Sequence, residues 1–196
     1  MIIYFDTETT GLYPGQICQL SYVMQDKTGA RSKNFFFSVE AVEYSAFLVH
    51  GFSKEKLSEL SFGKKFSDHF LEIKSDFERA DVIIAHNTSF DFSFMRKEYE
   101  RLSQTFLIKN EFCSMKKFTP ICKLTRKSGA GYKYPKLNEL CSFLGVSEED
   151  IRKTACELFN SDSAFHDARF DTSALYLAVN KGLEKEYFKE LEEYLW

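Results

Sequence analysis

The chain has 196 residues, of which 44% are hydrophobic and 28% charged, a composition typical of one globular domain with a substantial core. Its net charge of −3 gives no overall basic signature, so any contact with nucleic acid has to come from local patches. No apolar run approaches the roughly 20 residues that span a bilayer, and the N-terminus lacks the basic segment of a signal peptide. Five scattered cysteines without a Cys-x-x-Cys pair indicate reduced thiols rather than a zinc knuckle or a disulfide framework. We therefore expect a cytoplasmic protein with no membrane partner.

The first stretch of the chain is an apolar run, Ile2–Phe5, that ends in two carboxylates, Asp6 and Glu8. The run predicts a buried strand, and side chains two residues apart on a strand project to the same side. Two like charges held that close together are unfavourable unless a cation lies between them. The opening strand therefore indicates a metal site.

The segments that follow predict an α/β fold in which an antiparallel meander precedes a parallel unit. Three early strands are joined by short connections, which is typical of a meander. A later strand–loop–helix unit is typical of the parallel part of a mixed sheet. The predicted elements in this half are strands at 2–5, 16–25, 33–39, 82–85 and 111–114 and helices at 54–60, 62–79 and 90–101, the first of them begun by Ser53.

Residues 123–135 are the least regular segment, with four basic side chains and two glycines. They predict a loop that is either a solvated surface segment or a clamp for phosphates. Beyond the loop, apolar spacing predicts helices at 137–144, 165–181 and 184–196. Gly145 is expected to end the first of these helices and Gly182 the second.

Two further aspartates lie at the starts of predicted helices. Asp91 follows the strand at 82–85, where it either complements the positive helix terminus or belongs to a ligand site at the strand's end. Asp171 follows His166 by five residues. If Asp171 binds a metal, His166 is within reach of water at that metal; otherwise it is a surface histidine.

Four carboxylates from three separated segments, together with one histidine, are typical of phosphodiester hydrolysis by two divalent metal ions. Mg²⁺ and Mn²⁺ prefer oxygen ligands, and two such ions about 4 Å apart activate the attacking water and stabilise the leaving oxygen. Histidine side chains are suited to remove a proton near neutral pH. The pattern therefore predicts a metal-dependent nuclease.

Three motifs resemble those of the DEDDh (DnaQ-like) 3′–5′ exonucleases, which include the proofreading exonuclease of the bacterial replicative polymerase. The motifs are Asp6-Thr7-Glu8-Thr9-Thr10-Gly11-Leu12, His86-Asn87-x-x-Phe90-Asp91 and His166-x-x-x-x-Asp171. The resemblance implies a ribonuclease H-like fold, with a mixed five-stranded sheet flanked by helices, in a single exonuclease domain over residues 1–196. It also implies that two Mg²⁺ or Mn²⁺ ions are bound, that Glu8 acts on the side of the nucleophile and that His166 is the general base. The implied metal ligands are Asp6, Glu8, Asp91 and Asp171.

The resemblance further implies a pocket for the 3′-terminal nucleotide. In it, Leu12 would wedge against the terminal base and His50 would approach the nucleotide, although a turn histidine is the alternative for His50. One departure from many relatives is Cys113-Ser114-Met115, where they carry Asp-Thr-Leu. The residues expected to contact the substrate are Thr9, Thr10, Leu12, His50, Asn87 and Phe90.

The leading hypothesis is an exonuclease that releases nucleoside 5′-monophosphates from single-stranded 3′ ends. DNA is favoured over RNA because the first motif resembles that of DNA-proofreading members. Three alternatives stay open: an RNA-trimming exonuclease, a silent nucleic-acid-binding or polymerase-associated module, and a phosphatase for small phosphates. A DNA polymerase partner is compatible with the sequence, and the oligomeric state is left open.

Overall fold

A computed structural model of the chain describes residues 1–160, 163 and 166–195. The strands are β1 (Ile2–Thr9), β2 (Ile17–Asp26), β3 (Gly29–Phe36), β4 (Val82–Ala85) and β5 (Glu111–Cys113). The helices are α1 (Tyr44–His50), α2 (Lys54–Leu60), α3 (Phe66–Arg79), α4 (Thr88–Arg101), α5 (Ser114–Cys122), α6 (Leu137–Leu144), α7 (Glu148–Phe159) and α8 (Ala168–Glu184). A 3₁₀-helix follows at Glu192–Tyr194.

The five strands form one mixed sheet in the order β3-β2-β1-β4-β5. β1, β2 and β3 pair antiparallel, as the short connections predict, whereas β4 and β5 run parallel to β1. The predicted ribonuclease H-like fold with its mixed five-stranded sheet is therefore confirmed. β1 lies at the centre, so its C-terminal end is flanked by a strand on each side.

The two faces of β1 are covered by different helices because successive side chains alternate across a strand. Ile2 and Tyr4 pack in a core cluster with residues of α5, α6, α7 and α8. Ile3 and Phe5 pack in a second cluster with residues of α3 and α4. Alternation then directs Asp6 and Glu8 toward the α8 layer.

Several predicted boundaries are wrong. The strand predicted at 33–39 is β3, which begins at Gly29 and ends at Phe36. The helix predicted from 62 begins at Phe66, because Phe62 is 91% exposed and has a left-handed backbone with φ of 52°. The short helix begun by Ser53 and the end at Gly145 are confirmed.

The C-terminal helices also differ from the prediction. α8 continues through Gly182 to Glu184 instead of ending at the glycine. A Cβ at position 182 would lie 2.5 Å from the ring of Phe118 and 2.8 Å from that of Phe188, so the glycine allows close packing rather than a turn. The helix predicted over 184–196 is reduced to the turn at Glu192–Tyr194. Phe165 and Trp196, the outer limits of these two predicted helices, lie outside the described residues.

Three helices, α1, α5 and α7, had no counterpart in the prediction, and α5 begins at Ser114, which the predicted strand 111–114 included. α1 has seven residues and buries none of them: its large apolar side chains, Tyr44, Phe47, Leu48 and Val49, are exposed, so it has no stripe that faces a core. α7 buries only Ile151 and Ala155 and is begun by a capping box between Ser147 and Asp150. In the part of the chain that the structure describes, none of the helices has the length and apolarity to cross a membrane.

Candidate active site

Three carboxylates converge at the C-terminal end of β1. Asp6 and Glu8 project from one face of the strand, and Asp171 approaches from the first turn of α8 on the same side. One oxygen from each carboxylate lies within 4.8 Å of the others, a spacing at which a single cation can bind all three. The structure thus brings these three predicted site residues together.

Asp91 reaches the same place from the opposite layer. Thr7, which points to the α4 side of β1, donates a hydrogen bond from Oγ1 to Asp91 Oδ1 at 2.8 Å. The Asp91 side chain is 4% exposed and lines, with Asp6 and Asp171, a cavity of about 330 Å³. Asp91 does lie in the first turn of α4, but its carboxylate is directed at β1 and at this acid cavity.

The electrostatics of the acid cavity are unfavourable without a cation. Burial, followed by the charges of Asp91, Asp171 and Glu8, raises the pKa of Asp6 well above its ordinary value. Burial and the charge of Asp171 raise the pKa of Glu8 as well. Burial raises the pKa of Asp91 and of Asp171 to about 7.

Ion pairs with lysine or arginine do not offset this repulsion in the part of the chain that the structure describes, because no described lysine or arginine pairs with any of these four carboxylates. Arg169, the arginine nearest in sequence to Asp171, donates instead to both oxygens of Asp167. A site rich in carboxylate oxygens and poor in protein cations fits a hard divalent metal ion.

Gln19 fixes the start of α8, a role that the sequence did not indicate. It is fully buried on β2; its Nε2 donates to Asp167 Oδ1 at 2.9 Å, and its Oε1 accepts from the backbone N–H of Ala168 at 3.1 Å. Asp167 in turn caps α8 by accepting from the N–H of Arg169. Because Asp171 lies one turn further along, these bonds set its position relative to β1.

His166 lies at the rim of the acid cavity. It lines that cavity and is exposed to solvent, and its backbone N–H donates to Asp171 Oδ2 at 3.2 Å. Its φ of 63° is in the left-handed region, which is uncommon for a residue other than glycine and is found at functional sites. The histidine is thus held beside the carboxylates with its side chain accessible.

A second, more apolar pocket adjoins the acid cavity. A bulge between Glu8 and Thr9 ends the regular pairing of β1 with β2, as bulges beside active sites often do. The pocket has a volume of about 310 Å³ and shares Thr7 and Phe90 with the acid cavity. Its lining includes Thr9, Leu12, His50 and Phe90 among the residues predicted to contact substrate, and we call it the nucleotide pocket after that prediction.

Two predicted substrate residues lie elsewhere. Thr10 is outside the lining of the nucleotide pocket, and its Oγ1 accepts from the backbone N–H of Gln16 at 3.0 Å. Asn87 lines the acid cavity instead. Thr10 is therefore placed to stabilise the turn after β1, and Asn87 is placed near the carboxylates.

His50 uses both ring nitrogens within the protein. Its Nδ1 accepts from the backbone N–H of Phe52 at 3.0 Å, so the proton is on Nε2, which donates to the Thr9 carbonyl at 3.2 Å. Burial lowers the pKa of His50, in agreement with a neutral ring. His50 therefore supports the backbone of Thr9 in the nucleotide pocket and is more than a turn histidine.

His86 connects the acid cavity to the segment before α6. Its Nε2 lies 2.9 Å from the Pro135 carbonyl and must donate there, so its Nδ1 accepts from the Ser114 hydroxyl at 2.9 Å. Lys136 and Asn138, which follow Pro135, line the acid cavity. Sequence reasoning noted His86 in a motif without giving it a role, since its partners are distant along the chain.

Comparison with known proteins agrees with this geometry. The exonuclease family model RNase_T matches residues 3–155, which include the first two motifs. DNA polymerase III subunit epsilon of Salmonella typhimurium is 31% identical over 193 residues, covering 92% of this chain and 71% of that protein.

Two solved structures share the fold. The nuclease domain of 3′hExo, described as a DEDDh family member bound to rAMP, gives a TM-score of 0.66 at 11% identity, with 94% of this chain and 91% of that chain covered. A zinc-bound complex of E. coli ExoI with single-stranded DNA gives a TM-score of 0.61 at 15% identity. That match covers 98% of this chain but 42% of the ExoI chain.

The fold and the acid cavity define a nuclease of the ribonuclease H-like class. The chain belongs to the DEDDh (DnaQ-like) exonuclease family and is a 3′–5′ exonuclease.

Proposed function

We propose that this enzyme releases nucleoside 5′-monophosphates from the 3′ end of single-stranded DNA with two Mg²⁺ or Mn²⁺ ions, within a single exonuclease domain over residues 1–196. The observation that carries the proposal is the junction of two cavities. A group of carboxylates with which no described lysine or arginine pairs adjoins an apolar pocket of about 310 Å³, which is within the size range of small-ligand sites.

The metal ligands in this proposal are four carboxylates: Asp6, Asp91 and Asp171, which line the acid cavity, and Glu8, which lines the nucleotide pocket and lies within 4.8 Å of Asp6 and Asp171. Asp6 is central among them, because the charges of the other three all raise its pKa. When bound, the two ions would lower the pKa of the attacking water and stabilise the leaving 3′ oxygen.

His166 is the proposed general base, with Glu8 on the side of the nucleophile. The imidazole lies at the rim of the acid cavity, where it can take the proton from the attacking water. Because its side chain is exposed, the proton can pass on to solvent. The hydrogen bond from its backbone N–H to Asp171 keeps the base beside the carboxylates.

The nucleotide pocket is the proposed site for the terminal nucleoside. Leu12, 74% exposed at the pocket, offers an apolar surface for the terminal base, and Phe90 lies between the base and the acid cavity. We expect Thr9 and His50 to contact the sugar in this pocket and Asn87 to contact the phosphate from the acid cavity, while Thr10 supports the turn that carries Leu12. Recognition through stacking and phosphates, rather than base edges, favours cutting without sequence preference.

DNA as substrate is supported by the likeness to a DNA polymerase III subunit, which also supports a polymerase as partner. An RNA-trimming activity is the second candidate, because the 3′hExo domain was solved with rAMP. The same pocket volume accommodates either sugar.

The test is digestion of matched single-stranded DNA and RNA oligomers of about 20 nucleotides, labelled at the 5′ end. Mg²⁺ or Mn²⁺ is supplied at about 5 mM, because these ions keep water and phosphate among their ligands. We expect a ladder that shortens from the 3′ end, nucleoside 5′-monophosphate as product and faster cleavage of DNA. Faster cleavage of RNA would reverse the choice of substrate. Cleavage of mononucleotide esters without any cleavage of polymers would instead indicate a phosphatase.

A further inference from the structure

A strongly basic segment lies beside the acid cavity. It contains five lysines and arginines and no acidic residue, in a chain whose net charge is −3. We call residues 123–136 the basic hairpin. Its cationic residues are Lys123, Arg126, Lys127, Lys133 and Lys136.

Backbone hydrogen bonds give the basic hairpin a defined shape. The N–H of Lys133 donates to the Leu124 carbonyl at 2.7 Å, and that of Arg126 donates to the Gly131 carbonyl at 3.2 Å. Thr125 and Tyr132 form an antiparallel bridge between these bonds. The segment predicted as a loop is therefore an irregular hairpin that carries Arg126 and Lys127 near its tip and the other three cations toward its base.

The base of the hairpin is joined to the acid cavity. Pro135 accepts the hydrogen bond from His86, which lines that cavity, and Lys136 lines it directly. The cavity shares Thr7 and Phe90 with the nucleotide pocket on another side. The acid cavity thus adjoins the nucleotide pocket on one side and the basic hairpin on another.

Most of the hairpin's charge is available to a ligand. Lys133 pairs with Glu139, whereas Lys123, Arg126 and Lys127 are exposed and have no acidic partner in the described part of the chain. The nearby ring of Tyr134 is 57% exposed. Cations interleaved with exposed aromatic rings are the pattern that binds single-stranded nucleic acid through phosphates and bases.

We infer that the basic hairpin binds the phosphates of the single strand upstream of the bond that is cleaved. The inference rests on the proposed function: with the 3′ nucleoside in the nucleotide pocket and its phosphate at the carboxylates, the remaining strand continues past Lys136 to the hairpin. The hairpin then contributes to the binding of a polymer and contributes nothing to the hydrolysis of a mononucleotide ester.

The test compares the double variant Arg126→Ala/Lys127→Ala with a matched control, Lys27→Ala/Arg31→Ala. Both variants remove one lysine and one arginine from a hairpin. The control residues lie in the β2–β3 hairpin, in which Asp26 pairs with Gly29. This hairpin is at the end of the sheet opposite to the carboxylates. Each is measured on a single-stranded 20-mer and on p-nitrophenyl thymidine 5′-monophosphate.

On the 20-mer, the hairpin variant is expected to lose on the order of tenfold in kcat/KM at about 0.1 M salt. The dependence of log kcat/KM on log salt concentration should become shallower by about 1.4, since each phosphate contact to a single strand contributes about 0.7. The ester should be hydrolysed at the wild-type rate, and the control should match the wild type on both substrates.

Equal behaviour of the two variants on the 20-mer would overturn the inference, and would indicate that the hairpin serves another partner, such as an acidic protein. Equal losses on the 20-mer and the ester would also overturn it, because the hairpin would then act through the shape of the acid cavity. If the wild type cleaved no polymer at all, the proposed function itself would fail and the inference with it.

Discussion

The acid cavity and the nucleotide pocket differ in chemistry although they have similar volumes, about 330 and 310 Å³, and share Thr7 and Phe90. The acid cavity gathers carboxylates from β1, α4 and α8, and its charges repel one another. The nucleotide pocket is built mainly from two segments, the end of β1 with its following turn and α1, and it is mostly apolar. The first is incomplete without a cation, whereas the second is complete as the protein forms it. Changes in the acid cavity should therefore act on turnover and metal binding, and changes in the pocket on substrate affinity.

The largest expected effect is that of Asp6→Asn. We expect kcat to fall by about 10⁴-fold, since the loss of a central ligand removes metal-ion stabilisation worth several kcal/mol. The metal-free variant should nevertheless melt at a higher temperature than the wild type, because burial and repulsion raise the pKa of Asp6 and the neutral amide relieves both. Glu157→Gln, at an exposed position of α7, is the control and should change neither quantity. Activity of Asp6→Asn within tenfold of wild type would remove Asp6 from the metal site.

His166→Ala should lower kcat by about 10²- to 10⁴-fold, the usual contribution of a general base. The affinity for Mn²⁺, measured by calorimetry, should stay within a few-fold of wild type because the carboxylates remain. A large loss of Mn²⁺ affinity would instead make His166 a ligand or a support for Asp171.

Metal affinity should depend steeply on pH. The pKa values of Asp91 and Asp171 are raised to about 7, so both must lose protons before a cation binds. From pH 6 to pH 8 the affinity for Mn²⁺ should rise by about 100-fold, since each carboxyl contributes about tenfold.

The stability of the metal-free protein should change in the opposite direction. A carboxyl whose folded pKa is raised contributes stability that is present below its unfolded pKa, near 4, and is lost as the pH rises through 7. Thermal unfolding with and without Mn²⁺ at several pH values checks both trends. A metal-induced stabilisation that is equal at pH 5.5 and pH 8 would contradict the raised pKa values.

Gln19→Leu should lower kcat by on the order of tenfold, because it frees the start of α8 and lets Asp171 shift. The matched control is Gln25→Leu, which removes the hydrogen bonds of Gln25 to Tyr4 and Asn180 at the other end of β2. Each variant should lose about 1–3 kcal/mol of stability from unsatisfied partners, but only Gln19→Leu should lose turnover. Equal turnover in the two variants would show that Gln19 has a general role in stability and none in positioning.

Leu12→Ala should give the smallest effect, a rise of about fivefold in KM with kcat within twofold of wild type. The side chain is 74% exposed, so its truncation removes apolar contact with the base, worth about 1 kcal/mol, and little stability. Leu107→Ala, 64% exposed and outside the nucleotide pocket, is the control. A fall in kcat alone would place Leu12 with the acid cavity instead of the pocket.

The features that could be predicted from the sequence are those that local periodicity controls. Alternation along β1 predicts that Asp6 and Glu8 project together, whereas the resemblance to the DEDDh exonucleases, and no local pattern, implies that Asp91 and Asp171 join them. The mixed sheet follows from the short early connections and the later strand–loop–helix unit. These patterns depend on neighbours a few residues apart.

The features that could not be predicted depend on distant partners. The bond between Thr7 and Asp91 joins residues 84 positions apart, and that between Gln19 and Asp167 joins residues 148 apart. Gly182 has the signature of a helix end, but the rings of Phe118 and Phe188 require it inside α8. No local pattern distinguishes these cases from their ordinary counterparts.

Titration of the wild-type protein with Mn²⁺ at pH 8, followed by calorimetry, tests most directly whether the acid cavity is a two-metal catalytic centre. We expect two Mn²⁺ ions to bind the wild type and Asp6→Asn to lose at least one of them together with its activity. A wild type that binds no Mn²⁺, or an Asp6→Asn variant that binds both ions as tightly as the wild type, would contradict this assignment.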